Sequence, residues 1–271
     1  MIYKIHHLHC GSFCPACAPL FGQQGFRAHI PCHCLLLETF QGLVLIDSGL
    51  GQQDYQHMSQ RLGTTVKLFG NIQNNPELSA VAQIKKLGFN PQDVQHILLS
   101  HLDFDHAGGI SDFPQATVHV LSSEYDAARQ LKSYKDKIRY RPVQFKQHQH
   151  WNFIEPAAGD TWFNLNQAKG LRLFQDDILM IPLLGHSTGH SGIALQYDQH
   201  WLLYCGDAYF SHRQLSAKTQ IKSLERIEQW LAHDNAKRLD NLHKLQQLNH
   251  EANVELICAH DPVELARYQT A

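Results

Sequence analysis

Short apolar runs alternate along the chain with segments in which apolar residues recur at helical spacing, and this alternation predicts a mixed α/β fold. In the first half the apolar runs predict strands over residues 2–9, 34–38, 43–46, 97–99 and 117–121. In the second half they predict strands over residues 171–174, 178–181, 193–197, 201–204 and 254–258. Strands that alternate with helices in this way favour sheets covered by helices.

Helical spacing predicts helices over residues 53–62, 77–87 and 122–131, and one or two more over 222–251. Ser122 or Ser123 would cap the third of them. Segment 63–75 is predicted to be a loop, and segment 132–149 has no clear period. The residues expected to face the core from the last helical region are Ile227, Trp230, Leu231, Leu239, Leu242 and Leu245. No low-complexity linker or repeat divides the sequence, so we expect a single domain over residues 1–271.

Residues 11–31 are predicted to be a long irregular segment, and segments of this kind usually serve a function or are disordered. Cys14 and Cys17 lie within it. They could be a redox pair, a metal site together with Cys32 and Cys34, or ordinary reduced thiols, and the last interpretation is favoured because no thioredoxin-like setting surrounds them. The segment either lines a substrate groove or covers a sheet edge with its apolar residues Phe13, Leu20, Phe21 and Phe26.

Charge and composition narrow the possible partners. The 23 basic and 25 acidic residues leave a net charge of -2, so no strong field recruits nucleic acid or anionic membrane. No apolar stretch approaches the roughly 20 residues of a membrane span. The N-terminus lacks the apolar core of a signal peptide, and the seven cysteines suit reduced thiols, so we expect a cytoplasmic monomer or homodimer that acts on a small molecule.

Four ligand-type side chains follow the predicted strand 97–99: His101, Asp103, Asp105 and His106. Packing these groups into one short loop at a strand end would cost desolvation energy unless a cation held them. Imidazole and carboxylate together suit zinc, iron or manganese. Asp47 also ends a strand, next to a glycine turn. It could hold a ligand histidine from behind or form a local Asx-turn, and both alternatives remain open.

Three further candidate ligands each follow a later apolar run: His186, Asp207 and His260. The first lies in Gly185-His186-Ser187-Thr188-Gly189-His190, and the second follows Gly206. With the His-x-Asp-x-Asp-His loop, these segments resemble the metallo-β-lactamase superfamily, most of all its lactonase and glyoxalase II-like members. The resemblance runs from residue 34 to residue 260. It implies an αββα sandwich of two mixed β-sheets flanked by helices.

The resemblance also implies two divalent metal ions, zinc above all, with iron or manganese as alternatives. It assigns His101, Asp103 and His186 to the first metal and Asp105, His106 and His260 to the second, with Asp207 bridging them. His190 would then be packed or support a ligand. Asp103 stands where the family has histidine, so two divalent ions, three carboxylates and a bridging hydroxide sum to zero charge. Such a site should be a gentler Lewis acid, less suited to strongly anionic substrates.

The implied activity is hydrolysis of a carboxylic ester, most of all a lactone of the quorum-quenching N-acyl homoserine type. In such enzymes the two metals lower the pKa of a shared water, and the resulting hydroxide attacks the carbonyl carbon. Asp105 or Asp207 could relay the proton, and Tyr209 could hold the substrate carbonyl, although the family's tyrosine aligns with Phe210. The alternatives are a thioester hydrolase of the glyoxalase II type, a phosphodiesterase and a mononuclear iron dioxygenase.

Overall fold

The computed structural model describes residues 1–156, 161–171, 174–175, 177–216 and 218–269. Within these ranges the chain forms two sheets, a small hairpin and eleven α-helices. The first sheet contains six strands in sequence order: β1 (Ile2–Phe13), β2 (Ile30–Thr39), β3 (Gly42–Ile46), β4 (Val94–Leu98), β5 (Thr117–Leu121) and β6 (Trp151–Ile154). Strands β1 to β3 pair antiparallel, whereas β3 to β6 run parallel.

The second sheet follows a two-stranded hairpin made of β7 (Thr161–Trp162) and β8 (Leu165–Asn166). Its strands are β9 (Lys169–Gly170), β10 (Ile178–Pro182), β11 (Ser191–Tyr197), β12 (His200–Tyr204) and β13 (Val254–Ile257). Their order across the sheet is β13-β12-β11-β10-β9, and only β12 and β13 pair in parallel. Of the predicted strand over residues 171–174, residues 172 and 173 lie outside the described residues.

The helices connect these strands and cover the sheets. In the first half they are α1 (Gln52–Gln56), α2 (Met58–Arg61), α3 (Thr64–Gly70), α4 (Ala80–Lys86), α5 (Phe104–Ala107), α6 (Ser122–Gln130), α7 (Tyr134–Arg139) and α8 (Pro142–Phe145). In the second half they are α9 (Lys222–Leu231), α10 (Asn235–Leu248) and α11 (Pro262–Gln269). No helix in the described ranges combines the length and apolar composition that crossing a membrane requires.

Alternation along each strand divides the buried apolar residues into three layers. Leu35 and Leu37 of β2 face the second sheet and meet Ile193 of β11, while Leu36 points outward to the helices on the other side. The outer face of the second sheet packs on α10 through Leu245. The order of layers is therefore helices, sheet, sheet, helices, as in the metallo-β-lactamase fold that the sequence predicted.

Several element boundaries differ from the predictions. Strand β1 continues to Phe13, because its pairing with β2 resumes after a bulge that contains Gly11, so the irregular segment is shorter than expected. Helices α3, α5, α7, α8 and α11 form where no helix was predicted. Helix α6 has no side-chain cap, because Ser122 Oγ donates to the Ile154 carbonyl of β6 instead. Trp230 and Leu239, expected to face inward, are 58% and 47% exposed.

Candidate metal centre

The first ligand loop begins where β4 ends and closes with the single turn of α5. His101 and His106 are both buried, and their ring centroids lie 4.0 Å apart. The turn brings His106 back beside the strand end because its backbone N–H donates to the Asp103 carbonyl at 3.0 Å. The loop thus presents side chains from both of its ends to the same side of the sheet.

The remaining candidate ligands come from the second sheet. His186 follows β10, Asp207 follows β12 and His260 follows β13. Potential ligand atoms approach within 4.8 Å of one another in a first group made of His101, Asp103 and His186 and in another made of Asp105, His106 and His260. A third such group, made of His101, His106 and Asp207, links these two, so the structure brings all seven predicted ligands together.

Asp207 lies between the two groups and turns one oxygen toward each. Its Oδ2 is 3.4 Å from His186 Nε2 and 3.8 Å from His101 Nε2. Its Oδ1 is 3.2 Å from His106 Nε2 and 3.1 Å from His260 Nε2. A carboxylate placed in this way would be able to contact a cation in either group, as its predicted bridging role needs.

Unpartnered buried atoms test whether the residues fit metal ions. Nε2 of His101, Nε2 of His106 and Oδ1 of Asp207 are buried and make no hydrogen bond within the described residues. Leaving such groups without partners costs free energy, so each is available to a cation. Hydrogen bonds fix Nδ1 of three ligand histidines: His101 to Ser100 Oγ at 2.9 Å, His106 to Asp47 at 2.7 Å and His260 to the Pro31 carbonyl at 2.8 Å. A histidine held in this way presents Nε2 as a ligand, so the donor set fits divalent metals.

Asp47 holds His106 from behind, which decides between the two alternatives left open by the sequence. Its carboxylate also accepts from Ser100 N, Ser100 Oγ and the Tyr204 hydroxyl, each within 2.8 Å. Burial alone would raise the pKa of Asp47, but His106 outweighs burial and lowers it. The carboxylate therefore stays charged and orients the imidazole.

Arg139 is a charged neighbour of the site that the sequence did not reveal. Its Nη1 lies 3.5 Å from Asp103 Oδ1, and both residues are buried. Asp103 Oδ2 instead faces His186 Nε2 at 3.1 Å. The guanidinium thus neutralises the charge that Asp103 adds in place of a histidine. The net charge of the site returns to that of the usual family ligand set, which removes the basis for expecting a gentler Lewis acid.

The buried histidines and carboxylates of the site shift each other's pKa values. Burial opposes charge on His106, yet Asp207 and Asp47 outweigh it and raise the pKa of His106 well above its usual range. Burial likewise disfavours the Asp207 carboxylate, but His260 and His106 hold its pKa well below the usual range. A divalent cation would replace these histidine protons, so metal binding should release protons.

His190 supports Asp207 and belongs to neither ligand group. Its Nδ1–H donates to the Leu183 carbonyl at 3.0 Å, and its Nε2 accepts from Asp207 N at 2.9 Å. Gly206 is required beside it, because its φ is +52° and an added Cβ would lie 2.8 Å from His190 Nε2. His190 is thus both buried and hydrogen-bonded to the backbone of a predicted ligand.

Glu124 joins the two ligand-bearing loops, and no motif in the sequence indicated it. One carboxylate oxygen accepts from Leu102 N at 3.0 Å. The other accepts from Ser187 Oγ and from Gly189 N, both at 2.7 Å. This buried carboxylate fixes the loop after β4 relative to the loop after β10, and with them the ligands of the first group.

Tyr209 does not reach the site, contrary to its predicted role. It is completely buried, and its hydroxyl donates to Glu264 Oε1 at 3.1 Å within the apolar layer between the second sheet and α10. Phe210 faces the ligands instead, with ring centroids 5.3 Å from His260 and 6.0 Å from His186. Because successive residues point in different directions, the residue that aligns with the family's tyrosine reaches the site without a hydroxyl.

A cavity of about 140 Å³ lies beside His260. Its apolar lining residues are Phe21, Ile30, Phe210, Leu224, Pro262 and Val263. Of the four apolar residues expected to form a groove, only Phe21 lines this cavity. Phe13 is buried against Phe104, whereas Leu20 and Phe26 are 46% and 73% exposed.

The cysteines do not form a second metal site among the described residues. All seven are free thiols, and no potential ligand group in these ranges contains a cysteine. Cys32 and Cys34 are buried, as the interpretation as small thiols expects, whereas Cys17 is exposed.

Comparisons with known proteins show the family to which the chain belongs. A family model described as the metallo-beta-lactamase superfamily matches residues 28–251. The chain is 34% identical over 272 residues to a probable metallo-hydrolase of Mycobacterium tuberculosis, a match that covers 97% of this chain and 83% of the relative. It is 31% identical over 177 residues to the N-acyl homoserine lactonase of Bacillus thuringiensis, which covers 65% of this chain and 62% of the lactonase.

A solved structure shows the same fold. A variant of the B. thuringiensis protein AiiA, with N-decanoyl-L-homoserine bound at its active site, superposes on this chain with a TM-score of 0.73. The identity is 21%, and the alignment covers 98% of this chain and 96% of the other.

Proposed function

The chain belongs to the metallo-beta-lactamase superfamily of metallo-hydrolases, and from this premise we propose that it uses two divalent metal ions to hydrolyse a carboxylic ester, in particular a lactone. The proposal rests on one observation above all. Seven candidate ligand side chains meet in two groups, and Asp207 lies between the groups with one oxygen toward each. His101, Asp103 and His186 would hold one ion and Asp105, His106 and His260 the other. When bound, the ions would supply a water of lowered pKa and a Lewis acid for the carbonyl oxygen.

The protein's own carboxylates would handle the proton of the attacking water. Asp105 Oδ2 lies 3.5 Å from His260 Nε2 and 4.0 Å from His106 Nε2, at the exposed side of its group. Asp105 is only partly buried, unlike Asp207, so a proton taken up there can pass to solvent. We propose Asp105 as the main proton acceptor and Asp207 as the carboxylate that fixes the distance between the ions.

The apolar cavity beside His260 favours an ester with an apolar acyl group over a phosphodiester. Ligand pockets with apolar walls bind the apolar part of a substrate and use few polar groups for orientation. The N-acyl homoserine lactonase relatives support a lactone among the possible esters. A thioester presents the same carbonyl carbon, and the experiment therefore includes one.

The test combines metal analysis with a substrate panel. Purified protein should contain about two equivalents of transition metal per chain. On an acylated lactone, a simple ester, a thioester and a phosphodiester, kcat/KM should be largest for the lactone and smallest for the phosphodiester. Asp207→Asn should lower both metal content and activity, whereas Asp112→Asn, a carboxylate outside the ligand groups, should preserve both.

Two results would contradict the proposal. A single tightly held metal that added zinc or manganese does not change would exclude the two-metal site and favour iron-dependent oxygenation. Comparable kcat/KM on the phosphodiester and the lactone would exclude the ester assignment.

A further inference from the structure

His212 and Asp261 form a hydrogen-bonded pair beside the candidate metal centre. His212 opens a 3₁₀ turn over His212–Leu215, and its Nδ1 lies 2.6 Å from Asp261 Oδ2. The His212 backbone N–H donates to the same oxygen at 2.5 Å. Asp261 directly follows His260 in the chain, so the pair is built onto the loop that carries a proposed ligand.

The carboxylate of Asp261 is held firmly from its other side. Its Oδ1 accepts from Val263 N at 2.7 Å and from Glu264 N at 3.2 Å, at the start of α11. The Asp261 side chain is 2% exposed, whereas that of His212 is 34% exposed. A buried, fixed carboxylate assigns a proton to His212 Nδ1, which leaves Nε2 as the ring nitrogen that is free of this contact.

His212 is part of the wall of the cavity beside the metal centre. His212, His260 and Phe210 all line it. Phe210 provides no proton, and the Tyr209 hydroxyl is bound to Glu264. Histidine is the side chain that most commonly gains and loses a proton near neutral pH. Of the described residues that line this cavity, His212 is therefore the one histidine outside both ligand groups.

We propose that His212 is a catalytic residue whose Nε2–H protonates the leaving oxygen of the ester, a role that rests on the ester hydrolysis proposed above. The attacking water gives one proton to Asp105 as its oxygen bonds to the carbonyl carbon. The bond from that carbon to the leaving oxygen then breaks, and its electron pair takes the proton from His212 Nε2. The proton that Asp105 took from the water returns through solvent to His212 Nε2, so ester and water become acid and alcohol and both residues regain their starting state.

A structural role for the same contacts makes a different prediction. If His212 only ties the turn at residues 212–215 to α11, its loss should slow every substrate equally. If Nε2 protonates the leaving oxygen, the loss should matter most when that oxygen leaves as a strongly basic alkoxide. A p-nitrophenolate leaves without needing a proton, so it is the matched comparison.

The experiment uses the full chain reloaded with zinc and two esters of one carboxylic acid, an alkyl ester and a p-nitrophenyl ester. His212→Asn keeps an N–H donor near the position of Nδ1 and removes the Nε2 proton. It should reduce kcat for the alkyl ester by about 100-fold or more, in line with general acid catalysis, and reduce it far less for the p-nitrophenyl ester. Arg213→Gln, which changes another residue of the cavity lining, should not shift the ratio between the two esters.

The outcomes separate this proposal from the one on which it rests. Equal losses on both esters, or no loss on either, would overturn the role of His212 and leave ester hydrolysis standing. A wild-type protein that cleaves neither of these esters and no acylated lactone would overturn ester hydrolysis and the role of His212 together. If His212→Asn does not fold, as a thermal melt would show, His212→Gln is compared in the same way.

Discussion

Replacing Arg139 by methionine removes the positive charge that faces Asp103 while keeping a side chain of similar length. Arg139 Nη1 is 3.5 Å from Asp103 Oδ1, and the carboxylate has little access to solvent. Burial disfavours the charged carboxylate, yet Arg139 and His101 outweigh burial and hold the pKa of Asp103 well below its usual range. Loss of Arg139 removes the largest of the charges that favour the carboxylate, so the buried Asp103 side chain is left with only the neighbouring histidines to compensate it.

Removing one partner of a buried ion pair costs about 3–5 kcal/mol, so Arg139→Met should lower the free energy of unfolding of the metal-free protein by that amount. Urea denaturation at neutral pH measures it. The same variant should bind zinc more tightly, because the carboxylate that it leaves uncompensated faces the first ligand group. A titration against a competing chelator measures this affinity.

Arg238→Met is the matched control, since Arg238 is also buried and lies 3.4 Å from the buried carboxylate of Glu228. Burial raises the pKa of Glu228 to about 7, so this carboxylate can take up a proton when its partner is lost, and the stability loss should be smaller. Zinc affinity should not change. Equal zinc affinity in the Arg139 and Arg238 variants would refute the charge compensation.

A double-variant cycle tests the same pair from the other side. Asp103→His alone places the family's usual ligand against the uncompensated guanidinium of Arg139, so zinc binding should weaken. Adding Arg139→Met should restore it, with a coupling energy of about 1–3 kcal/mol. Additive effects of the two changes would show that Arg139 does not act through position 103.

Three further changes have defined outcomes. Phe21→Ala should weaken transition-state binding of long-chain esters by about 1–3 kcal/mol, measured as a lower kcat/KM, and leave kcat/KM for short-chain esters unchanged. Phe26→Ala, at an exposed position, should change neither value. An equal loss on long and short chains would mean that Phe21 only supports the fold. Asp47→Asn should weaken zinc binding by about 10–100-fold, because His106 loses its carboxylate partner, and unchanged chelator competition would contradict this. Burial, aided by His96, lowers the pKa of His119 from 6.5 to about 3, so its contribution to stability is full above pH 6.5 and falls as the pH drops toward 3. Between about pH 7 and about pH 5, the free energy of unfolding of His119→Gln should therefore fall less than that of the wild type in urea titrations. Equal losses would show that His119 does not contribute to the pH dependence of stability.

Local pattern was sufficient to predict which His and Asp side chains the fold brings together, because each follows a strand and is marked by its residue type. His101 follows β4 of the first sheet and His260 follows β13 of the second, and these strand ends lie at the same end of the two packed sheets, so side chains far apart in sequence meet there. The strand Thr117–Leu121 was predicted with its observed bounds because its apolar run has clear ends.

Residues that support the site through tertiary contacts and lie outside any motif could not be predicted. Arg139 reaches Asp103 and Glu124 reaches Gly189 through tertiary packing, and neither lies in a motif. Tyr209 was misplaced because spacing alone does not determine side-chain direction after a strand ends. Trp230 is exposed although its helical position is apolar, because α9 does not bury that face.

The origin of the ligands in different sheets has a consequence for the lifetime of the folded chain. His101 and His106 follow β4 of the first sheet, whereas Asp207 and His260 follow strands of the second. Metal ions bound by side chains from both sheets would hold the two sheets together at one end. Pulling the sheets apart would first require an ion to dissociate, so metal release would limit the unfolding rate even where equilibrium stability changes little. In a cell, the amount of intact protein would then follow the supply of metal.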